Sequence, residues 1–164
     1  MSTEIVLRTL FIGAGATLCM DIWALLLKRL WRIISLDYAL PGRWLLWMLK
    51  GRFIHRTIVN TPSLAGEKVI GWFFHYATGF LFAFIPVLLS GSQWLLAPDL
   101  STAITTALVS LAAPFLIMQP ALGFGMAASA TANPRQARLM SLLAHLIFGF
   151  GLYLSATIFN TFLF

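Results

Sequence analysis

The chain has 164 residues, of which 60% are hydrophobic and only 10% charged, and its mean hydropathy is +0.88. These values lie far outside those of soluble domains and predict an integral membrane protein. The length accommodates about four spans of roughly 20 residues, which leaves little room for a soluble domain. The net charge of +6 does not indicate nucleic-acid binding, because most basic residues cluster in one stretch between apolar runs.

Four apolar runs, each long enough to cross a bilayer, follow one another along the chain. They predict an all-α fold, an integral membrane four-helix bundle that forms a single domain over residues 1–164. The predicted spans cover residues 5–27, 69–89, 103–126 and 139–164, and a basic, tryptophan-rich segment over residues 28–68 separates the first two. Because proline frees backbone carbonyls, Pro114 and Pro120 predict an irregular third span.

The positions of the 11 Lys and Arg residues predict the orientation of the spans. Ten of them lie in the stretches that follow the first and third spans, and the remaining one is Arg8. Residues 90–102 contain none. By the positive-inside rule, the two basic stretches are cytoplasmic and both termini lie on the opposite side of the membrane.

The segment over residues 28–68 interleaves aromatic and basic side chains. This composition is typical of a segment that lies along anionic lipid headgroups, although an ordinary cytoplasmic loop with anchoring tryptophans explains it equally well. The expected partners are therefore the lipid bilayer and anionic headgroups. The residues expected at the lipid interface are Arg32, Arg43, Trp44, Trp47, Lys50, Arg52 and Arg56.

Three ionisable residues, Asp21, His75 and His145, occur inside apolar spans at matching depths. Each lies seven residues from a basic residue at the cytoplasmic end of its span, or about 10 Å at the helical rise. Ser129 of the third run lies at a comparable depth. Because an ionisable side chain is costly against lipid, we predict that these four side chains face one another in an intramembrane polar layer.

Each of these four residues belongs to a ladder of small residues spaced four apart, a pattern that permits close helix packing. The ladders are Gly13-Thr17-Asp21, Gly71-His75-Gly79-Ala83, Ala121-Gly125-Ser129 and Ser141-His145-Gly149. Glu67 extends the second ladder toward the cytoplasm, as a polar route to His75 or, more simply, as a surface acid near a helix start. Gln119 is expected to bond a carbonyl freed by Pro120 or to line a solute path.

Four blocks of sequence carry a family resemblance. They are MDIWA at residues 20–24, GWFFHY at 71–76, PFLIMQPALGFGMAAS at 114–129 and HLIFGFGLYL at 145–154. In their order and spacing the chain resembles a family of small bacterial membrane proteins that is catalogued only as a domain of unknown function. The resemblance implies a bacterial inner-membrane protein of about this size, and it implies no activity, ligand or site residue.

Three classes of function fit the polar layer. A structural or accessory membrane subunit needs only hydrogen bonds between its helices. Proton-linked transport of a small solute or ion suits an Asp/His layer, because histidine titrates near neutral pH and a nearby carboxylate shifts that titration. A metal- or haem-binding redox protein would use His75, His145 and Asp21 as ligands.

Of the two classes with a chemical role, we favour transport. The sequence contains no hydrolase motif and no phosphate-binding loop, so an enzyme is not expected. A cofactor is not expected either, although haem and a divalent metal stay open, as do a homo-oligomer and a larger membrane complex.

Overall fold

The structure is a computed structural model that describes residues 2–33 and 35–162. Positions 1, 34, 163 and 164 lie outside the described residues, although the predicted domain, interfacial segment and fourth span extend over them. Across the described residues, all regular secondary structure is helical. Four helices are long and apolar enough to cross a membrane: Thr3–Trp31, Glu67–Ser90, Leu100–Ala121 and Pro134–Phe162. The predicted all-α membrane bundle of four spans is confirmed.

The helices in chain order are α1 (Thr3–Trp31), α2 (Ala39–Met48), α3 (Glu67–Phe82), α4 (Ile85–Ser90), α5 (Leu100–Ser110), α6 (Gln119–Ala121) and α7 (Pro134–Phe162). The second span combines α3 and α4, and the third combines α5, a π-helical turn at Ala113–Met118 and α6. This turn begins beside Pro114, so the irregularity predicted from the prolines is present.

The third span ends earlier than the sequence suggested, at Ala121 instead of residue 126. Gly123 and Gly125 follow it with φ angles of 84° and 72°, a left-handed region that glycine adopts at little cost. The chain therefore leaves the helix at this point. Ser129 lies in an exposed turn beyond it, so the prediction that the third span carries Ser129 is wrong.

The chain forms two compact units, which are described separately. Unit 1 contains α1, α4 and α5, with α3 from Tyr76 onward and α7 from Leu143 onward. Unit 2 contains α2, the beginnings of α3 and α7, the π-helical turn and α6. The core of unit 1 is built mainly from small and aliphatic residues: Ile12, Ala16, Ala83, Trp94, Leu95, Ala103, Phe148, Leu152 and Ala156.

In unit 1, the small-residue ladder of α1 packs against the second span. A β-carbon added to Gly13 would lie 3.0 Å from the β-carbon of Ala83. One turn further along α1, Thr17 leaves no room for a β-carbon on Gly79. The predicted ladders thus form the helix-packing surface here, because small residues allow the two backbones to approach closely.

The ladder of α7 packs in the same way against α5. A β-carbon on Gly149 would lie 2.7 Å from the carbonyl oxygen of Ala103 and 2.7 Å from the β-carbon of Ala107. This close approach sets the register in which the polar residues of α5 and α7 meet one turn away.

In unit 2, two glycines bring α2 against the start of α3. A β-carbon on Gly42 would overlap the carbonyl oxygen of Glu67, and one on Gly71 would overlap the carbonyl oxygen of Tyr38. Since both neighbours are backbone atoms, no side-chain rotation could make room. Gly42 is buried in this contact.

The segment after α2 returns to the end of the third span within unit 2. The His55 N–H donates to the carbonyl of Ala121 at 2.8 Å, and the Ile58 N–H donates to that of Leu122 at 2.9 Å. Ile58 and Leu122 are fully buried and form the unit 2 core with Trp44.

Candidate functional site

In unit 1, Asp21 accepts a hydrogen bond from the hydroxyl of Tyr76 at 2.8 Å. Both residues are partly buried, and they continue the α1–α3 packing surface one turn beyond Thr17 and Gly79. A phenolic hydroxyl can donate to a carboxylate or accept from a protonated carboxyl group. The pairing therefore remains satisfied in either protonation state of Asp21.

A second hydroxyl pair lies between α5 and α7 in unit 1. The Ser110 hydroxyl is 2.7 Å from Nδ1 of His145 and also 2.8 Å from the carbonyl oxygen of Ala107. When Nδ1 carries a proton, it donates to Ser110, whose own proton goes to Ala107. When Nδ1 is unprotonated, Ser110 can turn its proton toward the imidazole.

In unit 2, His75 has a third hydroxyl partner. Its Nε2 atom lies 3.0 Å from the hydroxyl of Tyr38, and the two rings stack with centroids 4.2 Å apart. Trp72 contacts both rings edge-on. His75 is 9% exposed, so this imidazole is enclosed among aromatic side chains.

All three ionisable residues identified from the sequence are therefore bonded to a hydroxyl. Sequence reasoning missed the partners Tyr76, Ser110 and Tyr38. Ser110 could have been found, because a serine in an apolar helix is a polar group that needs a partner. The arrangement of the ionisable residues in one layer stays a prediction.

Gln119 is buried and contacts α7 within unit 2. Its side-chain amide donates to the hydroxyl of Ser141 at 3.3 Å, instead of bonding a carbonyl freed by Pro120. The amide oxygen of Gln119 has no hydrogen-bond partner among the described residues. A buried polar atom without a hydrogen-bond partner costs stability, so this oxygen destabilises the fold as it stands.

Glu67 lies in the first turn of α3, where it binds Arg43 in a two-pronged ion pair. Nε and Nη2 of Arg43 each lie 2.8 Å from a carboxylate oxygen. The Arg43 guanidinium also donates to the carbonyls of Ile58 and Thr61, at 3.1 and 2.9 Å. The side chains are only 13% and 14% exposed, so Glu67 is not a surface acid. The hydrogen bonds that Arg43 donates to Glu67 raise the pKa of Arg43, which keeps it charged.

Two of the expected lipid-interface residues face the protein interior. Arg43 holds the ion pair, and Trp44 is 8% exposed with its indole N–H donating to the carbonyl of Phe53 at 2.8 Å. Trp44 packs against Ile58 and Leu122 in the core of unit 2. Trp47 is partly buried, and the other four expected residues are exposed: Arg32, Lys50, Arg52 and Arg56.

His55 is a buried residue that sequence reasoning did not single out. Its Nδ1 atom lies 3.1 Å from the Thr61 hydroxyl, whose proton goes to the carbonyl of Thr57 at 3.0 Å. Nδ1 must therefore donate, and Nε2 is left as an acceptor without a partner among the described residues. Burial, and then the charge of Arg52, lower the pKa of His55. Its basic neighbours in the sequence gave no sign of this burial.

Within residues 2–33 and 35–162, no three His, Cys, Asp or Glu side chains gather into a group that could hold a metal ion. The proposed set of His75, His145 and Asp21 thus gains no support as a metal site. The haem alternative stays a prediction.

Comparison with known proteins agrees with the resemblance seen in the sequence. No curated protein and no solved structure matches the chain significantly. A family model described as "Protein of unknown function (DUF2938)" matches residues 10–159, which is most of the chain. The chain, which has four candidate membrane spans, therefore belongs to the DUF2938 family.

Proposed function

We propose that this multi-pass protein couples the movement of a small solute or ion across the bacterial inner membrane to protonation of Asp21 and His145. The observation that carries the proposal is the pairing of each ionisable residue with a hydroxyl. The Tyr76 hydroxyl is hydrogen-bonded to Asp21, and the Ser110 hydroxyl to His145. His75 of unit 2, paired with the Tyr38 hydroxyl, is a third candidate.

Hydroxyl partners suit proton exchange because they can reverse their role. An arginine partner would hold a carboxylate permanently ionised, and protonation would then break an ion pair. With tyrosine or serine, the helices keep their contact while the ionisable group gains or loses a proton. Histidine changes its charge between about pH 5 and 8, the range in which such coupling would operate.

The proposed orientation has both termini on the non-cytoplasmic side and the two basic stretches, residues 28–68 and 135–138, in the cytoplasm. It rests on the positive-inside rule, since residues 90–102 contain no Lys or Arg. A C-terminal reporter that is active only in the cytoplasm should therefore stay silent. A strong signal from the full-length fusion would reverse the orientation.

The coupling can be tested in liposomes that contain the full-length protein and an internal pH indicator, with the membrane potential clamped. A panel of amino acids, monocarboxylates and small cations should include a solute that moves protons in the wild type. Asp21→Asn and His145→Gln should abolish this movement while keeping a single size-exclusion peak. Asp99→Asn is the matched control, because Asp99 is exposed and its carboxylate caps the Thr102 N–H, which asparagine also can do.

A structural or accessory role is the second candidate, and the same hydrogen bonds favour it. Bonds such as Tyr76–Asp21 and Gln119–Ser141 join side chains of different spans and would stabilise the packing by about 0.6 to 2 kcal/mol each. If no solute in the panel moves protons, and the Asp21→Asn and His145→Gln proteins lose only thermal stability, transport is refuted and this role is supported.

A further inference from the structure

The turn that follows α2, residues 49–56, exposes basic and apolar side chains together; we call it the basic turn. Its three basic residues, Lys50, Arg52 and Arg56, are all exposed. Its large apolar residues are exposed as well: Leu49 to 85%, Phe53 to 55% and Ile54 to 74%. Large apolar side chains with this exposure indicate a surface that contacts something apolar.

The basic turn is held in one conformation by its backbone. Gly51 has a φ of 78°, its N–H donates to the carbonyl of Met48 at 2.9 Å, and the Arg52 N–H donates to that of Trp47 at 3.0 Å. These two bonds form a Schellman motif, in which a left-handed glycine ends the helix sharply. The exposed residues after Gly51 are therefore presented in a fixed direction.

Trp47 anchors the charges of the basic turn. Nζ of Lys50 lies 5.1 Å from the centroid of the indole ring, and Cζ of Arg52 lies 5.7 Å from it. The indole N–H donates to the carbonyl of Pro62 at 3.1 Å, which fixes the ring. The two cations are thus placed in advance beside an aromatic residue of the type that concentrates at bilayer interfaces.

We propose that the basic turn docks into the headgroup region of anionic phospholipids in the membrane that the chain spans. Lys50, Arg52 and Arg56 bind lipid phosphates, while the neighbouring apolar side chains enter the acyl boundary. The occupant is an anionic lipid surface because its charge complements the three exposed cations and its acyl region accepts the exposed apolar groups.

This surface differs from the one that the sequence suggested. Arg43 and Trp44 do not take part, because they are used inside unit 2. The basic turn is also tied to the third span, since the N–H of His55 bonds the carbonyl of Ala121. Docking to lipid would therefore steady the irregular end of that span, whether or not the protein transports protons.

The test uses full-length protein in lipid nanodiscs that hold one copy. Cys19→Ala removes the native thiol, and Ile54→Cys then carries an environment-sensitive fluorophore. In discs that contain phosphatidylglycerol, the probe should be protected from aqueous iodide and quenched by lipids spin-labelled near the headgroup. In neutral phosphatidylcholine discs, both effects should weaken. Leu96→Cys is the matched control, because Leu96 is 63% exposed in a loop without Lys or Arg, so lipid charge should not affect it.

The charges are tested by combining Lys50→Gln, Arg52→Gln and Arg56→Gln. Each basic residue near an anionic surface contributes about 1 kcal/mol, or roughly fivefold in the docking equilibrium, so the triple variant should dock about a hundredfold less well. The control variant removes three exposed charges outside the basic turn and should keep the wild-type response. It combines Lys28→Gln, Arg29→Gln and Arg135→Gln.

Three outcomes would overturn the proposal. The first is an Ile54 probe that stays open to iodide in anionic discs. The second is an equal response in the triple variant and its control. The third is protection from iodide without quenching by spin-labelled lipid, which would place a protein, and not lipid, on the basic turn.

Discussion

The hydroxyl-bonded pairs of unit 1 and the buried ion pair of unit 2 use polar groups in different ways. In unit 1, Asp21 and His145 are each bonded to a hydroxyl, a partner that serves either protonation state. In unit 2, Arg43 donates two hydrogen bonds to Glu67, and this ion pair requires both charges. The two pairs of unit 1 therefore stay bonded when a proton is gained or lost, whereas the ion pair of unit 2 holds its segment in place by opposite charges.

The contacts of Gly79 in unit 1 and of Gly42 and Gly71 in unit 2 differ as well. In unit 1, Gly79 is packed against the side chain of Thr17. In unit 2, Gly42 and Gly71 are packed directly against backbone carbonyls. A side chain can be shortened or rotated and a backbone carbonyl cannot, so Gly42 and Gly71 should tolerate a larger residue less well than Gly79.

The largest effect is expected when the ion pair of unit 2 is broken. Arg43→Met leaves the carboxylate of Glu67 mostly buried and without its cation, which should cost about 3 to 5 kcal/mol. Thermal unfolding and size-exclusion profiles in detergent would measure this loss. Arg135→Met is the matched control, because Arg135 is exposed and its replacement should change stability by no more than about 0.5 kcal/mol.

The double variant Arg43→Met/Glu67→Met sharpens this comparison. Replacing a buried ion pair by apolar groups of similar size is often close to neutral, so the double variant should recover much of the stability. Equal losses in the single variant and in the Arg135 control would show that unit 2 does not depend on the pair.

A smaller effect is expected from adding a methyl group to the packing glycines. Gly79→Ala should destabilise by about 1 to 3 kcal/mol through overpacking, and Gly71→Ala should lie at the upper end of this range because its new methyl group meets a backbone carbonyl. Adding Thr17→Ala should rescue Gly79→Ala, because it removes the side chain that the new methyl group meets. Gly71 allows no such rescue, since it meets the carbonyl of Tyr38. Thermal unfolding of Thr17→Ala, Gly79→Ala and the double variant tests this contact. If the stability losses of the two single variants simply add in the double variant, Gly79 and Thr17 are not in direct contact.

Hydropathy and charge were sufficient to predict the four spans, and the spacing of small residues predicted the packing surfaces of unit 1. These are local signals, since they depend on periodicity within one helix. The end of the third span was misplaced because the apolar run continues past Gly123, whose backbone conformation stops the helix.

The polar contacts of both units and the burial of Trp44 were not predicted, because they join residues that are distant in sequence. The partner of His75 is Tyr38, in a segment without helical periodicity. Trp44 is buried against Ile58 and Leu122, which lie in later segments of the chain. Composition suggested a lipid-facing role for Trp44, and tertiary packing overrode it.

A still smaller effect is expected from removing the hydroxyl of Tyr76. Tyr76→Phe should cost about 0.6 to 2 kcal/mol, because one intramembrane hydrogen bond to Asp21 is lost while the ring remains. Thermal unfolding measures the loss. Tyr153→Phe is the control, since the Tyr153 hydroxyl has no hydrogen bond among the residues that the structure describes. If both variants unfold at the same temperature, the Asp21 pairing contributes nothing to stability.

The smallest effect is expected from acidification at His55, because it is confined to the segment that joins the basic turn to the third span. The pKa of His55 lies below its ordinary value of 6.5, because of burial and the charge of Arg52. When this segment detaches from the end of the third span, His55 becomes exposed and binds a proton more readily than in the attached, closed state. The closed segment is therefore fully stable above about pH 6.5 and loses stability as the pH falls through the lowered pKa.

Hydrogen exchange at the backbone amides of His55 and Ile58 would report this opening, because both amides donate to the end of the third span. After correction for the intrinsic effect of pH, protection of both amides should decrease on acidification in the wild type. His55→Asn should flatten the decrease, since asparagine can donate to Thr61 as Nδ1 does but takes up no proton. The same pH profile in both proteins would mean that His55 stays closed and neutral while other groups respond to acid. The acid response of unit 2 would then not depend on His55.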